Sequence, residues 1–260
     1  MQPLPPRGSE PADSASLPAA PPASLRPPAL PPNHLVPRPS KNIRELSWPQ
    51  RRNLSIPPSM HISSMQGRDN QGREQVARFT LPLSLFQAVS TKGNDVNYAL
   101  PTPTLSVPYV APPAIAHIIK WLIDVIKNEV VPELPFIEDA AQTNHRIKGL
   151  SIEKNVQVIY ASKSLGTKKY TEDMYQTFAD YFLNEHLVQM DMVLYNSSGS
   201  NDGLFCIIAS RLAHMRYYDW KWKGFKGFRS WIGSRPNLKA AVWERMQELA
   251  VADNVYLDAF

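Results

Sequence analysis

PAIAHIIKWLIDVIKNEV, residues 113–130, is the stretch whose patterning sets the fold class. Pro113 stands where proline is favoured, at a first helical position whose N–H would have no partner in any case. Ile115, Ile118, Ile119, Leu122 and Ile126 then recur at helical spacing and define one buried face. Trp121, Ile123 and Val125 widen that face, which predicts burial on two sides. Pro132 ends the helix by removing a donor the next turn would need.

Three further segments carry helical signals. Thr171-Glu-Asp supplies a capping hydroxyl and two acids suited to a helix N-terminus, and Met174, Phe178, Tyr181, Phe182 and Leu187 share a face of a helix reaching about Val188, or on through MDMVLY. Asn201 and Asp202 close a Ser/Asn/Gly loop and can cap a helix over 204–218, with Leu204, Ile207, Ile208, Arg211, Leu212 and Met215 along one side. A last helix starts near Pro236 and turns Leu238, Ala241, Val242, Met246 and Leu249 inward. Strand signals are fewer: Val76–Leu81, and Asn155–Ala161, where Val156, Val158 and Tyr160 alternate with their neighbours. Leu83–Val89 is apolar and fits either type. Five prolines between 101 and 113 discourage central strands there. The expected fold is mainly α, a compact helical body with minor extended or β elements.

A long disordered Pro-rich N-terminal arm is expected to precede that body. Of 25 prolines, sixteen fall in the first 60 residues, so PAAPPASLRPPALPPNHLVPRPS cannot bury enough apolar surface to offset its ordering entropy. The composition divides the chain into an arm over 1–73, a helical domain over 74–252 and a short tail over 253–260. Within the arm, NIRELSWPQRRN (42–53) breaks the pattern with Ile43, Leu46 and Trp48, an island able to dock on a partner or a neighbouring copy.

Charge is unevenly placed. The net +5 resolves into +4 over residues 1–75, +6 over 216–239 and −5 over the rest. RYYDWKWKGFKGFRSWIGSRPNLK (216–239) interleaves seven basic residues with seven large aromatics. In a nucleic-acid reading, Arg216, Lys221, Lys223, Lys226, Arg229 and Arg235 neutralise phosphates while Tyr218, Trp222 and Phe225 stack on bases or wall a groove. Two glycines, Gly224 and Gly227, and the period-two alternation of Trp220-Lys-Trp-Lys predict a break in the helix near 219–227. The plainer alternative is a structural helix junction: Tyr217, Trp220, Gly224, Phe228 and Trp231 fall at helical intervals, and Trp220 and Trp231 then belong to the core. A third is contact with an anionic membrane or acidic protein surface.

Other chemistries lack their signatures. A single cysteine, Cys206, sits in the apolar run LFCIIAS and rules out an internal disulfide. The six histidines include no HExxH motif or close Cys/His pairing, so neither a metal nor a cofactor is expected. Gly199–Gly203 lacks the lysine of a phosphate-binding loop. The N-terminus lacks the apolar run of a secretory signal and no stretch is long and apolar enough to span a bilayer, which predicts an intracellular, cytoplasmic protein. These features predict a non-enzymatic nucleic-acid-binding protein, RNA favoured, of nucleocapsid or coat type, self-associating through its N-terminal arm. The alternative is an adaptor that recruits partners through the Pro-rich arm and grips an acidic protein or membrane through the basic stretch.

Overall fold

The computed structural model describes residues 42–68, 71–72, 74–184, 202–218 and 228–254. It is mainly helical with one small sheet, as the patterning predicts. The elements are α1 (Trp48–Asn53), β1 (Ser59–Arg68), β2 (Glu74–Pro82), α2 (Leu83–Val89), β3 (Thr104–Ser106), α3 (Pro112–Lys127), α4 (Ile152–Ser164) and α5 (Glu172–Asn184). They continue as α6 (Gly203–Tyr218), α7 (Phe228–Gly233) and α8 (Pro236–Ala252). The sheet order is β2-β1-β3: β1 and β2 form an antiparallel pair, and the short β3 lies parallel to β1 on its other side.

Burial on two sides holds for α3. Ile115, Ile118, Leu122 and Val125 are almost fully buried, and so is Trp121 on the widened face. α3 ends at Lys127, short of the expected Val130 and before Pro132 could stop it, and the Trp121 indole donates to Pro132 O at 2.9 Å in the segment that follows. The ring packs against Tyr170, centroids 5.2 Å apart. α1, β2 and α4 all pack on α3; α5 then packs on α4, α6 on α5 and α8 on α6. Phe178 and Phe182 of α5 are fully buried, each contributing roughly 1.5–3 kcal/mol of apolar transfer.

Two expectations are corrected. Asn155–Ala161 is not a strand but the body of α4. Val156, Val158, Ile159, Ala161 and Ser162 are buried while Gln157 and Tyr160 are the two less buried positions of the run, and so short a piece of a helix mimics alternation. Leu83–Val89, left open by its pattern, is the helix α2.

The second correction concerns the start of the body. Residues 42–68, assigned by composition to the arm, are folded: Ile43, Leu46, Leu54, Met60 and Ile62 are core residues, and β1 is the central strand of the sheet. The apolar island at 42–53 docks on its own chain. Ile43 N–H donates to the Tyr170 hydroxyl at 3.1 Å. Arg51, 4% exposed, donates to Leu46 O (2.6 Å), Val125 O (3.1 Å), Asn128 O (3.1 Å) and Glu129 O (2.5 Å). Its guanidinium thereby satisfies carbonyls at the C-terminus of α3, where a cation also suits the helix dipole.

Candidate functional site

Four of the nine residues assigned to nucleic-acid contact are among the described residues: Arg216, Tyr218, Arg229 and Arg235. Lys221, Trp222, Lys223, Phe225 and Lys226 lie outside them, as do Trp220 and the expected break over 219–227. The continuation of the α5 helix through residues 185–195 lies outside them as well.

The described members fall into two groups. Arg216 and Tyr218 end α6, where Tyr218 is 57% exposed and packs edge-on against Tyr217, centroids 4.8 Å apart. The Tyr217 hydroxyl donates to Asp253 Oδ2 at 3.1 Å, which fixes this end of α6 beside the C-terminus of α8. Arg229 is exposed on α7, and Arg235 is the residue that opens α8. The Arg235 guanidinium lies over the Trp231 ring at 4.5 Å, and Trp231 stacks on Phe228 with centroids 5.9 Å apart. Phe228 is buried but Trp231 only partly so, correcting its assignment to the full core. Stepping 1.5 Å per residue along α8 separates the two groups by roughly 25 Å. Lys168 and Lys169 each place their ammonium over a tyrosine ring, Tyr175 and Tyr170, at 5.8 and 5.0 Å.

A second feature escaped the sequence reading. A groove of about 1130 Å³ is lined by residues 104–111, by Lys92, Asp95, Asn97 and Leu100, and by Gln157, Tyr160, Lys163 and Ser164 of α4. Asp202, which bonds to two of the lining side chains, is 3% exposed. Its Oδ1 accepts from Tyr160 Oη (2.8 Å) and from the backbone N–H groups of Leu204 (3.1 Å) and Phe205 (3.3 Å), while Oδ2 meets Lys163 Nζ at 3.3 Å. Asp202 is thus the N-cap of α6 that the loop composition predicts, and the same carboxylate anchors two groove side chains. Burial, and then the Asp202 carboxylate, pushes the Tyr160 phenol up, so the group remains a neutral donor. Lys92 pairs with Asp95 at 2.8 Å. Tyr109 stands at the groove wall in a left-handed conformation, φ 60°, and is 81% exposed. The groove offers hydrogen-bonding groups and an apolar rim assembled from segments about 50 residues or more apart in sequence, a juxtaposition that no local motif signals.

Cys206 is half-buried on α6. His117 Nε2 lies 2.8 Å from Pro135 O, and the His214 ring packs on Tyr218 at 5.3 Å. Among the described residues no three His, Cys, Asp or Glu side chains gather as metal ligands, and no helix is long and apolar enough to cross a membrane. Compared with family models, curated proteins and solved structures, the chain matches none.

Proposed function

We propose that this chain is a non-enzymatic nucleic-acid-binding protein, RNA favoured, of a coat-like kind whose copies assemble along a single strand inside the cell or in a particle. The observation that carries the reading is the concentration of +6 in residues 216–239 of a chain whose remainder beyond residue 75 is net acidic. Its described members support it. An exposed tyrosine beside Arg216 marks one end of α8, and exposed Arg229 with the Arg235–Trp231 pair marks the other. Two basic-aromatic clusters roughly 25 Å apart suit an extended strand of several nucleotides that reaches from one to the other, with cations on phosphates and rings on bases.

The test is fluorescence anisotropy of a labelled single-stranded RNA with nuclease-treated protein. Affinity is expected to fall steeply between about 50 and 200 mM salt, with each removed phosphate contact lowering the logarithmic salt slope by about one. The triple variant K221Q/K223Q/K226Q should weaken binding while leaving the melting temperature nearly unchanged, and R216Q/R229Q/R235Q should weaken binding with some loss of stability, since Arg235 packs on Trp231 and donates to its carbonyl. Absence of binding to any oligonucleotide at low salt overturns the reading. Retention of an acidic protein or anionic vesicle in its place transfers the basic stretch to the adaptor role.

A further inference from the structure

β2 is an edge strand, and no other strand among the described residues borders its outer side. The hydrogen bonds determine which of its backbone groups face that side. His61 N–H donates to Pro103 O, and Ser63 O and Met65 O accept from Val107 N–H and Tyr109 N–H, so residues 61, 63 and 65 of β1 turn toward the β3 side. Their cross-strand partners in β2 are Thr80, Arg78 and Val76. In an antiparallel ladder the residues opposite a non-bonded position direct their own N–H and C=O groups outward. The bond from Leu83 N–H to Pro58 O, flanking the Ser59–Pro82 pair, gives the same phase independently.

The side chains on this run are arranged with their own symmetry. Glu74, Val76 and Arg78 share one face of the strand, and all three are exposed, Val76 by 42%. Natural strand edges are commonly blunted by charged side chains, lysine above all, by proline, by a bulge or by a covering element. Residues 74–80 contain no proline, their two charges, Glu74 and Arg78, are of opposite sign, and the extra residue of the register irregularity lies on β1 between Met65 and Arg68, opposite Val76–Glu74, rather than on β2.

We propose that this edge pairs with the same edge of a second copy, antiparallel and about a two-fold axis through Val76. That register places Val76 opposite Val76, Glu74 opposite the Arg78 of the other copy, and Arg78 opposite its Glu74. Each of these positions already directs its N–H and C=O outward, so each facing pair exchanges both backbone bonds. Opposite charges meet twice across the junction, whereas the parallel arrangement in the same register sets Glu74 against Glu74 and Arg78 against Arg78. The two three-stranded sheets become one continuous sheet through an isologous contact. Because the contact is a single strand pair, association is weak and concentration-dependent. The inference does not depend on nucleic acid.

The experiment uses the full chain, nuclease-treated, at low salt. V76C in a C206S background is oxidised gently and run on a non-reducing gel. Residues facing each other in a bonded antiparallel pair sit about 5.5 Å apart between Cα atoms, within disulfide reach. A covalent dimer is expected for V76C. T80C, which meets residue 72 of the other copy, should remain monomeric. Sedimentation equilibrium without cross-linking supplies a second readout. R78E should abolish the dimer by setting acid against acid, the double variant E74R/R78E should restore it, and V76P should abolish it while preserving the monomer, since Val76 N–H is not used by β1. A wild-type chain that stays monomeric at its highest soluble concentration and yields no V76C dimer overturns the proposal. So does a dimer that persists in R78E and V76P, or one that cross-links equally through T80C, because its contact lies elsewhere. RNA binding without this dimer rejects the strand pairing alone, and a dimer without RNA binding rejects the nucleic-acid reading alone.

Discussion

Asn155 shows how much a single polar side chain can settle inside this core. It is fully buried on α4; its Oδ1 accepts from Ile137 N–H at 2.8 Å, and its Nδ2 donates to Ile137 O at 2.8 Å and Ser151 O at 2.6 Å. The amide therefore imitates a strand neighbour for the connection before α4. N155A should lower stability by about 1–3 kcal/mol, because Ile137 N–H loses its partner while Ile137 O keeps only the bond from Ser151 N–H. N155D should cost more, since a carboxylate faces two carbonyl oxygens; urea unfolding of both variants checks the order. Tyr170 gives a pH dependence at the same scale. Burial pushes its phenol up to about 12, against a smaller opposite effect of the Ile43 N–H donated to it. The folded state thus prefers the protonated form, and the sign follows: this stabilisation is complete below pH about 10 and is lost as pH rises toward 12. The loss amounts to at most about 3 kcal/mol. Denaturation midpoints measured across that range should fall in the wild type and fall less in Y170F. Asp202 was legible as a cap because capping is local, whereas the pairings of Asn155 and Tyr170 join residues 18 and 127 positions apart.

At the scale of elements, the end of α4 is held by a glycine that no other residue replaces without rearrangement. Gly166 adopts φ 70°, and a Cβ there would lie 2.7 Å from Thr91 Oγ1 and 2.8 Å from Lys92 N, a backbone atom. Its carbonyl accepts from Thr91 N–H at 3.0 Å, and Ser90 Oγ donates to Leu165 O at 2.6 Å, so the close approach joins α4 to the turn after α2. G166A should destabilise by about 2–4 kcal/mol, the left-handed penalty and the clash together. Thermal melts of G166A beside G149A, where φ is 75° but no atom lies within 4 Å, separate the two contributions. The helical pattern of α3, α5, α6 and α8 was readable because each turns a wide apolar face inward. α4 was not readable as a helix, because within 155–161 only Gln157 and Tyr160 belong to its less buried side, too few positions to reveal the period.

For the molecule as a whole, the N-terminal segment 42–54 is part of the fold. It contributes Ile43, Leu46 and Leu54 to the core and Arg51 to the end of α3. A chain beginning at Asn42 should retain the described fold. One beginning at Ser55 should melt far lower or fail to fold, since it loses three buried apolar side chains and exposes carbonyls that Arg51 satisfies. Circular dichroism melts of the two truncations check this. By itself the sequence determined the helical class, the α3 centre, the Asp202 cap and the location of the positive charge, because periodicity, capping and charge are local quantities. Tertiary structure alone decided that residues 42–68 belong to the body, that 155–161 is helical, and that Arg216 and Arg235 stand at opposite ends of α8. Each of those outcomes is fixed by which distant surface a segment is buried against, and burial partners are not encoded in the spacing of any one segment.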